Sequence, residues 1–131
     1  MLKKGLLGKE QTIVSHSNSA IGMGSGCLEV FSTPSMIALM EKTACESVEK
    51  YLEEGKTTVG IAINVKHTAA TALGMMVLCE SELLEVDGRR LVFKVTAFDK
   101  AGVIGTATHE RMIVDARKFM EKTVAKRDAK V

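Results

Sequence analysis

The chain has 131 residues, of which 46% are hydrophobic and 26% are charged, and its formal net charge is +2. This composition is typical of one folded globular domain, which we expect to span residues 1–131, and it excludes a disordered or low-complexity chain. Because the charge is nearly balanced and only 4% of the residues are aromatic, nucleic acid is not expected as a partner.

The cysteines and the apolar stretches indicate the compartment. Cys27, Cys45 and Cys79 form no Cys-x-x-Cys motif or Cys/His cluster, so we expect no metal site and no metal cofactor. They are interpreted as three reduced, buried thiols, since disulfides are rare in the cytoplasm. No stretch approaches the roughly 20 apolar residues of a membrane span, and the N-terminus lacks the apolar core of a signal peptide. A soluble, cytoplasmic protein without a membrane partner is expected.

Two short segments precede the strongest signal in the chain. Residues 10–14 predict a strand, and residues 28–31 predict a short lead-in to a helix. Between them, the glycine-rich residues 22–26 superficially resemble a phosphate-binding loop but lack the Gly-Lys-Ser/Thr that follows such a loop. A mobile loop, able to act as a lid over a site, is the prediction for this segment.

A long helix is predicted from Thr33 to Glu54. Thr33 is placed at the N-cap, Pro34 at the first helical position and Gly55 just past the end, and the helix is about 30 Å long. At about 100° per residue, six apolar side chains fall in one sector: Ile37, Met40, Ala44, Val48, Tyr51 and Leu52. This helix is amphipathic and needs a wide surface to cover its apolar side.

Alternating apolar residues and two tight turns follow the helix. They predict four antiparallel strands: residues 57–67, 73–86, 90–98 and 103–114, with turns at 87–88 and 99–102. In the first strand, one face is predicted to hold Val59, Ile61, Ile63, Val65 and His67. Residues 116–131 predict a short helix that frays into a tail.

The order of these elements indicates an α+β fold. One long helix cannot cover its own apolar face, so the antiparallel sheet must curve around it. Hotdog folds, cystatin-like folds and cone-shaped α+β barrels all share this outline, and the pattern by itself leaves the three open.

Glu41 is the most unusual residue of the helix. Its angle lies between those of Val48 and Leu52, inside the apolar sector. A carboxylate there is either paired or protonated, because burying an unpaired charge is costly. Such a group suits a general base or a nucleophile. The alternative is that Glu41 lies at the edge of the sector and reaches water.

His67 and Thr33 are the other candidates. His67 ends the strand face that should meet the helix, where a histidine is either a structural core residue or a proton carrier. Thr33 is explained by capping alone, although a hydroxyl at a helix N-terminus can also contact a substrate near free amides. The two remaining histidines, His16 and His109, have no comparable argument.

Five short blocks stand in order along the chain: residues 30–41 (VFSTPSMIALME), 59–60 (VG), 67–71 (HTAAT), 85–91 (EVDGRRL) and 105–111 (GTATHER). Together they resemble the hotdog-fold thioesterases related to fluoroacetyl-CoA thioesterase. The resemblance covers roughly residues 28 to 125. It implies a hotdog fold, with one long central helix wrapped by a curved antiparallel sheet.

The resemblance also implies a catalytic group and a substrate. The family's threonine, glutamate and histidine correspond to Thr33, Glu41 and His67, and the positions that line its acyl pocket correspond to Gly60 and Arg111. It implies a homodimer, alone or as a dimer of dimers, with active sites at the subunit interface and no cofactor.

The segment before the helix departs from the fluoroacetyl enzyme. Residues 21–28 are glycine-rich and contain no aromatic residue, whereas the fluoroacetyl enzyme has a longer, aromatic-containing lid there. The function expected is hydrolysis of a small acyl-CoA thioester to the free acid and CoA. Two alternatives remain, a non-catalytic acyl-CoA binding protein and a hotdog hydratase or dehydratase.

Overall fold

The computed structural model describes residues 1–130 and contains one five-stranded antiparallel sheet. Its strands are β1 (Leu7–Ile13), β2 (Lys56–His67), β3 (Met76–Asp87), β4 (Arg90–Asp99) and β5 (Gly102–Asp115). Its helices are α1 (Ala20–Met23), α2 (Thr33–Glu49) and α3 (Ala116–Arg127), with a 3-10 turn at His16–Asn18. The order across the sheet is β1-β3-β4-β5-β2, so β1 and β2 are the edge strands.

Helix α2 forms the centre of the core, and all five strands contact it. The predicted α+β arrangement, a long helix held by a curved antiparallel sheet, is confirmed. The buried helix residues are Met36, Leu39, Met40, Thr43, Ala44 and Val48, and the largest strand residues packed with them include Leu83, Phe93 and Ile104. Each fully buried side chain of this size stabilises the fold by roughly 1.5–3 kcal/mol.

Both ends of α2 differ from the prediction. The helix ends at Glu49 instead of Glu54, and Tyr51 turns back so that its amide donates to the Val48 carbonyl at 2.9 Å. The sequence pattern missed this end because the turn between α2 and β2 already begins at residue 50 and continues to Gly55. At the start, Ser32 instead of Thr33 is the N-cap, and Thr33 is the first helical residue.

The remaining segments agree closely with the predicted order. The β3–β4 and β4–β5 turns lie where predicted, with Gly88 and Gly102 at φ +60° and +137°. Strand β3 begins at Met76 instead of residue 73, because Gly74 turns the chain at φ +84°. Residues 28–31 form only isolated bridges, and residues 22–26 leave the short helix α1 through Gly24 at φ +73°. Residue 131 of the predicted tail lies outside the described residues.

A β-bulge in β2 changes which side chains face the helix. The register with β5 shifts between Gly60 and Ala62. Before the bulge Thr58 is buried, and after it Ile63 and Val65 pack on the core, whereas Ile61 is 49% exposed. The predicted inward positions of Val59 and Ile61 are therefore wrong, because an extra residue reverses the alternation. The bulge places Gly60 on the inner face instead.

Within the part of the chain that the structure describes, none of the helices is both long enough and apolar enough to span a membrane.

Candidate functional site

Thr33 and His67 form the first cluster of the site. The Ser32 hydroxyl caps α2 by accepting from the Ser35 amide at 3.1 Å, which leaves the Thr33 hydroxyl free for another contact. Thr33 Oγ1 lies 2.8 Å from His67 Nδ1 at the end of β2. The sequence analysis assigned both helix capping and the possible substrate contact to the Thr33 hydroxyl. In the structure, Ser32 caps the helix and Thr33 contacts the imidazole.

The imidazole of His67 lies beside a cleft. Burial lowers its pKa and so favours the neutral ring, and the backbone of Ala69 opposes this shift. Its Nε2 atom is buried without a hydrogen-bond partner among the described residues, which is unusual for a buried polar atom. The cleft has a volume of about 320 Å³, and Thr33, His67, Ala69 and Ala70 line one side of it. A neutral imidazole at a cleft is suited to moving a proton.

Glu41 belongs to a second cluster, with Arg111 and Gly60. The Arg111 guanidinium is buried, and its Nη1 atom lies 3.6 Å from Glu41 Oε2, whose side chain is 43% exposed. Glu41 therefore lies at the edge of the apolar sector, where it reaches water, and it is also paired with Arg111. The two alternatives predicted for it, a paired carboxylate and a partly exposed one, both apply. A Cβ atom on Gly60 would lie 2.7 Å from Glu41 Oε2 and 3.3 Å from Arg111 Nη1. Any side chain at position 60 would force the Glu41 carboxylate to move.

The two clusters lie apart within one chain. Eight residues separate Thr33 from Glu41, about 12 Å along the helix axis. Seven residues separate Gly60 from His67, about 20 Å along β2. Over residues 1–130, the hydrogen bonds and ion pairs of Glu41 do not include Thr33 or His67. The structure joins Thr33 to His67 and Glu41 to Gly60 and Arg111, but it does not join all five in one chain.

His109 is a member of the second cluster that the sequence analysis passed over. Its side chain is fully buried, and its Nε2 atom lies 3.1 Å from Arg111 Nη1. The signal that could have found it is spacing, because residues two apart on a strand share a face. The other unassigned histidine, His16, is exposed and lies 3.1 Å from Glu29.

The potential metal ligands do not gather at this site. Within residues 1–130, no three His, Cys, Asp or Glu side chains form a group that could hold a metal ion. All three cysteines are free thiols, but only Cys79 is buried, whereas Cys45 is half-buried and Cys27 is exposed. The predicted burial of Cys27 and Cys45 is therefore wrong. The chemistry that the arranged side chains offer is acid–base and nucleophilic.

Ser32→Ala is expected to lower the free energy of unfolding by about 1 kcal/mol, because it removes the side-chain cap of α2. Thr33→Ala, the matched control one residue later, should cost less, since Thr33 does not cap the helix. Urea denaturation of both variants measures the difference. A larger loss for Thr33→Ala than for Ser32→Ala would contradict this division of roles.

Acidification is expected to destabilise the fold through the half-buried His67 and the buried His109. Burial lowers the pKa of both His67 and His109, so the unfolded chain binds protons more readily than the folded one. The free energy of unfolding should therefore fall as the pH drops below about 6.5. Urea denaturation at pH 7.5 and pH 5.5 tests this, and His67→Ala should reduce the dependence. An unchanged dependence in His67→Ala would contradict the shift.

The chain is similar to a family of known proteins and to one of its characterised members. Residues 14–117 match the family model described as fluoroacetyl-CoA-specific thioesterase. The fluoroacetyl-CoA thioesterase of Streptantibioticus cattleyicolor is 44% identical over 101 residues, which are 77% of this chain and 73% of that protein.

Solved structures agree with that match. A crystal structure of a mutant of the fluoroacetyl-CoA-specific thioesterase FlK in complex with fluoroacetate and CoA is 35% identical, covers 90% of this chain and 99% of that chain, and has a TM-score of 0.85. A hot-dog-like protein from Thermanaerovibrio acidaminovorans is 29% identical, covers 98% of this chain and 94% of that chain, and has a TM-score of 0.87. The fold is therefore the hotdog fold that the sequence resemblance implies.

Proposed function

The chain belongs to the fluoroacetyl-CoA-specific thioesterase family, and on that premise we propose that it hydrolyses a small acyl-CoA thioester to the free acid and CoA. Thr33, Glu41 and His67 form the proposed catalytic group, and Gly60 and Arg111 line the acyl end of the site. The observation that carries this assignment is the 2.8 Å contact between Thr33 Oγ1 and His67 Nδ1 at the mouth of the cleft.

The proposed active unit is a homodimer joined through β2, alone or within a dimer of dimers. Strand β2 is 12 residues long and lies at the edge of the sheet. The unpaired N–H and C=O groups of a long edge strand favour pairing with another strand. Antiparallel pairing of two β2 strands about a two-fold axis satisfies these groups in both subunits.

The bulge in β2 supports one register for this pairing. Directly opposed residues of antiparallel strands share a face, so a two-fold axis at Asn64 pairs Ile63 with the partner's Val65. The same register places Gly60 and Ile61 opposite the partner's His67. Without the bulge between Gly60 and Ala62, Gly60 and the partner's His67 would lie on opposite faces of the sheet. Each proposed site then joins the Glu41 cluster of one subunit to the Thr33–His67 cluster of the other.

The proposed reaction begins with the thioester carbonyl beside Thr33. The Ser35 amide is used by the Ser32 cap and proline has no amide proton, so the Thr33 N–H is the first-turn donor left to stabilise the oxyanion. Glu41 can act on the thioester in two ways, as a nucleophile or as a general base. It either attacks and forms a mixed anhydride that water later hydrolyses, or it removes a proton from the attacking water.

Both routes end in the same exchange of bonds. A C–O bond forms and the C–S bond breaks. Neutral His67 carries the proton, because it accepts a proton released by the attacking water and passes it to the CoA thiolate. The Thr33 hydroxyl orients the imidazole through its contact to Nδ1. Arg111 holds the Glu41 carboxylate, and the missing side chain of Gly60 leaves room for the acyl group beside it.

Release of free CoA from a panel of acyl-CoAs tests this function. The panel contains acetyl, short branched, medium-chain and aromatic acyl groups, and chromatography is the assay because thiol reagents would also react with the exposed Cys27. We expect hydrolysis of at least one short acyl-CoA. Binding of the panel without CoA release would instead indicate a binding protein, and addition or loss of water without CoA release would indicate a hydratase or dehydratase.

A further inference from the structure

His109 occupies the centre of the core beside the Glu41 cluster. The side chain is 1% exposed, and its ring lies 6.3 Å from the ring of Phe93. The Cε1 atom would lie 3.3 Å from a Cβ atom placed on Gly60. The ring therefore forms part of the wall behind the space that Gly60 leaves open.

Both ring nitrogens of His109 have a partner, and the partners determine the tautomer. Nδ1 lies 2.8 Å from the carbonyl oxygen of Ala62, which can only accept a hydrogen bond. Nε2 lies 3.1 Å from Arg111 Nη1, which can only donate. Nδ1 must therefore carry the proton and Nε2 must be the acceptor. A protonated ring would turn an N–H toward a guanidinium N–H and add a second positive charge beside the first.

The Arg111 guanidinium is held on three sides by neutral acceptors. Its Nε donates to Thr58 Oγ1 at 2.8 Å, its Nη2 donates to the Thr58 carbonyl at 3.0 Å, and its Nη1 donates to His109 Nε2. The same Nη1 atom is the one that lies 3.6 Å from Glu41 Oε2. Since none of these acceptors carries a charge, the guanidinium charge remains available to Glu41.

His109 also ties the bulge of β2 to β5. The Ala62 carbonyl that accepts from Nδ1 belongs to the first residue after the register shift. One neutral ring thus bridges the bulge that places Gly60 on the inner face and the guanidinium that pairs with Glu41.

We propose that His109 is a positioning residue for the thioesterase reaction: in its neutral, Nδ1-protonated form it accepts a hydrogen bond from Arg111 and thereby sets the position of the Glu41 carboxylate. It acts through the Arg111 guanidinium and takes no part in the exchange of bonds. The effect on rate rests on the proposed function, whereas the tautomer and the hydrogen bond do not.

The charges around the ring agree with a neutral form. Burial is the main cause that lowers the pKa of His109, and the Arg111 cation lowers it further. The Ala62 carbonyl and the carboxylates of Glu41 on α2 and Glu110 on β5 oppose the shift.

Nitrogen-15 NMR of the histidine rings in the unmodified, substrate-free protein tests the tautomer directly. We expect the His109 signals at pH 7 to be those of a neutral ring with the proton on Nδ1, distinct from those of the exposed His16. A neutral ring protonated on Nε2, or an imidazolium, would overturn the proposal. This measurement needs no turnover, so it decides the hydrogen bond even if the thioesterase assay fails.

Kinetics of two His109 variants test the positioning role. His109→Leu removes both ring nitrogens, and we expect kcat to fall about 10- to 100-fold, the value of a hydrogen bond to a charged group, while KM changes less than about 3-fold. His109→Gln keeps an acceptor for Arg111 and should recover part of the loss. Equal losses in both variants, or a change confined to KM, would overturn the role.

A double-mutant cycle with Arg111→Ala separates positioning from general destabilisation. If His109 acts through the guanidinium, His109→Leu should lower kcat much less in the Arg111→Ala background than in the unmodified enzyme. Losses that multiply independently would show that the two residues are not coupled. Circular dichroism and thermal unfolding of each variant confirm that folded protein is compared.

Discussion

Glu41→Gln is expected to lower kcat for acyl-CoA hydrolysis by about 10³-fold, because an amide can neither attack the thioester nor remove a proton from water. Binding of the acyl-CoA should persist, since the amide is nearly the same size as the carboxylate. Initial rates of CoA release and equilibrium binding, measured on the same preparation, separate the two effects.

Glu46→Gln is the matched control for this variant. Glu46 lies on the same helix, but its side chain is exposed and interacts with Glu10 outside the site. Its replacement should leave kcat unchanged. Retention of most of the activity in Glu41→Gln would contradict the assignment of Glu41 as base or nucleophile, whereas loss of binding in that variant would indicate that its carboxylate serves mainly to hold the substrate.

His67→Ala is expected to lower kcat by about 10²- to 10⁴-fold, since it removes the neutral imidazole that accepts a proton from water and passes it to the departing thiolate. It should also change the pH dependence. Burial lowers the pKa of His67, so its neutral form persists below the ordinary value of about 6.5. In the unmodified enzyme, protonation of His67 should therefore lower kcat/KM only below pH 6.5. This decrease should be absent from the residual activity of the variant.

His16→Ala serves as the control, because His16 is exposed and pairs only with Glu29 among the described residues. Its rate and pH profile should match those of the unmodified enzyme. If kcat/KM of His67→Ala decreased at low pH by the same factor as that of the unmodified enzyme, the decrease would be due to another group. Activity within about 3-fold of the unmodified enzyme would remove His67 from the proton transfer, since general acid–base catalysis is worth at least 10²-fold.

Much of the fold was predictable because the strongest signals are local. Pro34 marks the start of the long helix, and the Asp87-Gly88 turn marks a hairpin that the structure confirms. Glu41 was detectable for the same reason, because a charged residue among apolar positions at helical spacing stands out without any tertiary information.

The details that shape the candidate site are tertiary and therefore escaped the sequence. A β-bulge adds one residue without a distinctive motif, so simple alternation placed Ile61 inside and overlooked Gly60. Ser32 and Thr33 are both good caps, and only the position of His67 distinguishes them. His109 drew no attention because its role depends on a carbonyl of β2, which lies 47 residues away in sequence.

The separation of the two clusters was equally invisible in the sequence. Thr33, Glu41 and His67 stand in the order that the resemblance implies, yet the structure pairs Thr33 with His67 and leaves Glu41 with Arg111. In the proposed homodimer, pairing of two β2 strands supplies the missing contact. The division of the proposed site between the two subunits is therefore the central claim.

The most direct test of that claim is the activity of mixed dimers. Chains carrying Glu41→Gln and chains carrying His67→Ala bear different affinity tags and are co-expressed, and the mixed dimers are isolated by two successive purifications. If each site takes Glu41 from one subunit and His67 from the other, one of the two sites in every mixed dimer is intact, and about half of the unmodified activity should return. Mixed dimers as inactive as the two parent variants would contradict the account, because each site would then draw both residues from a single chain.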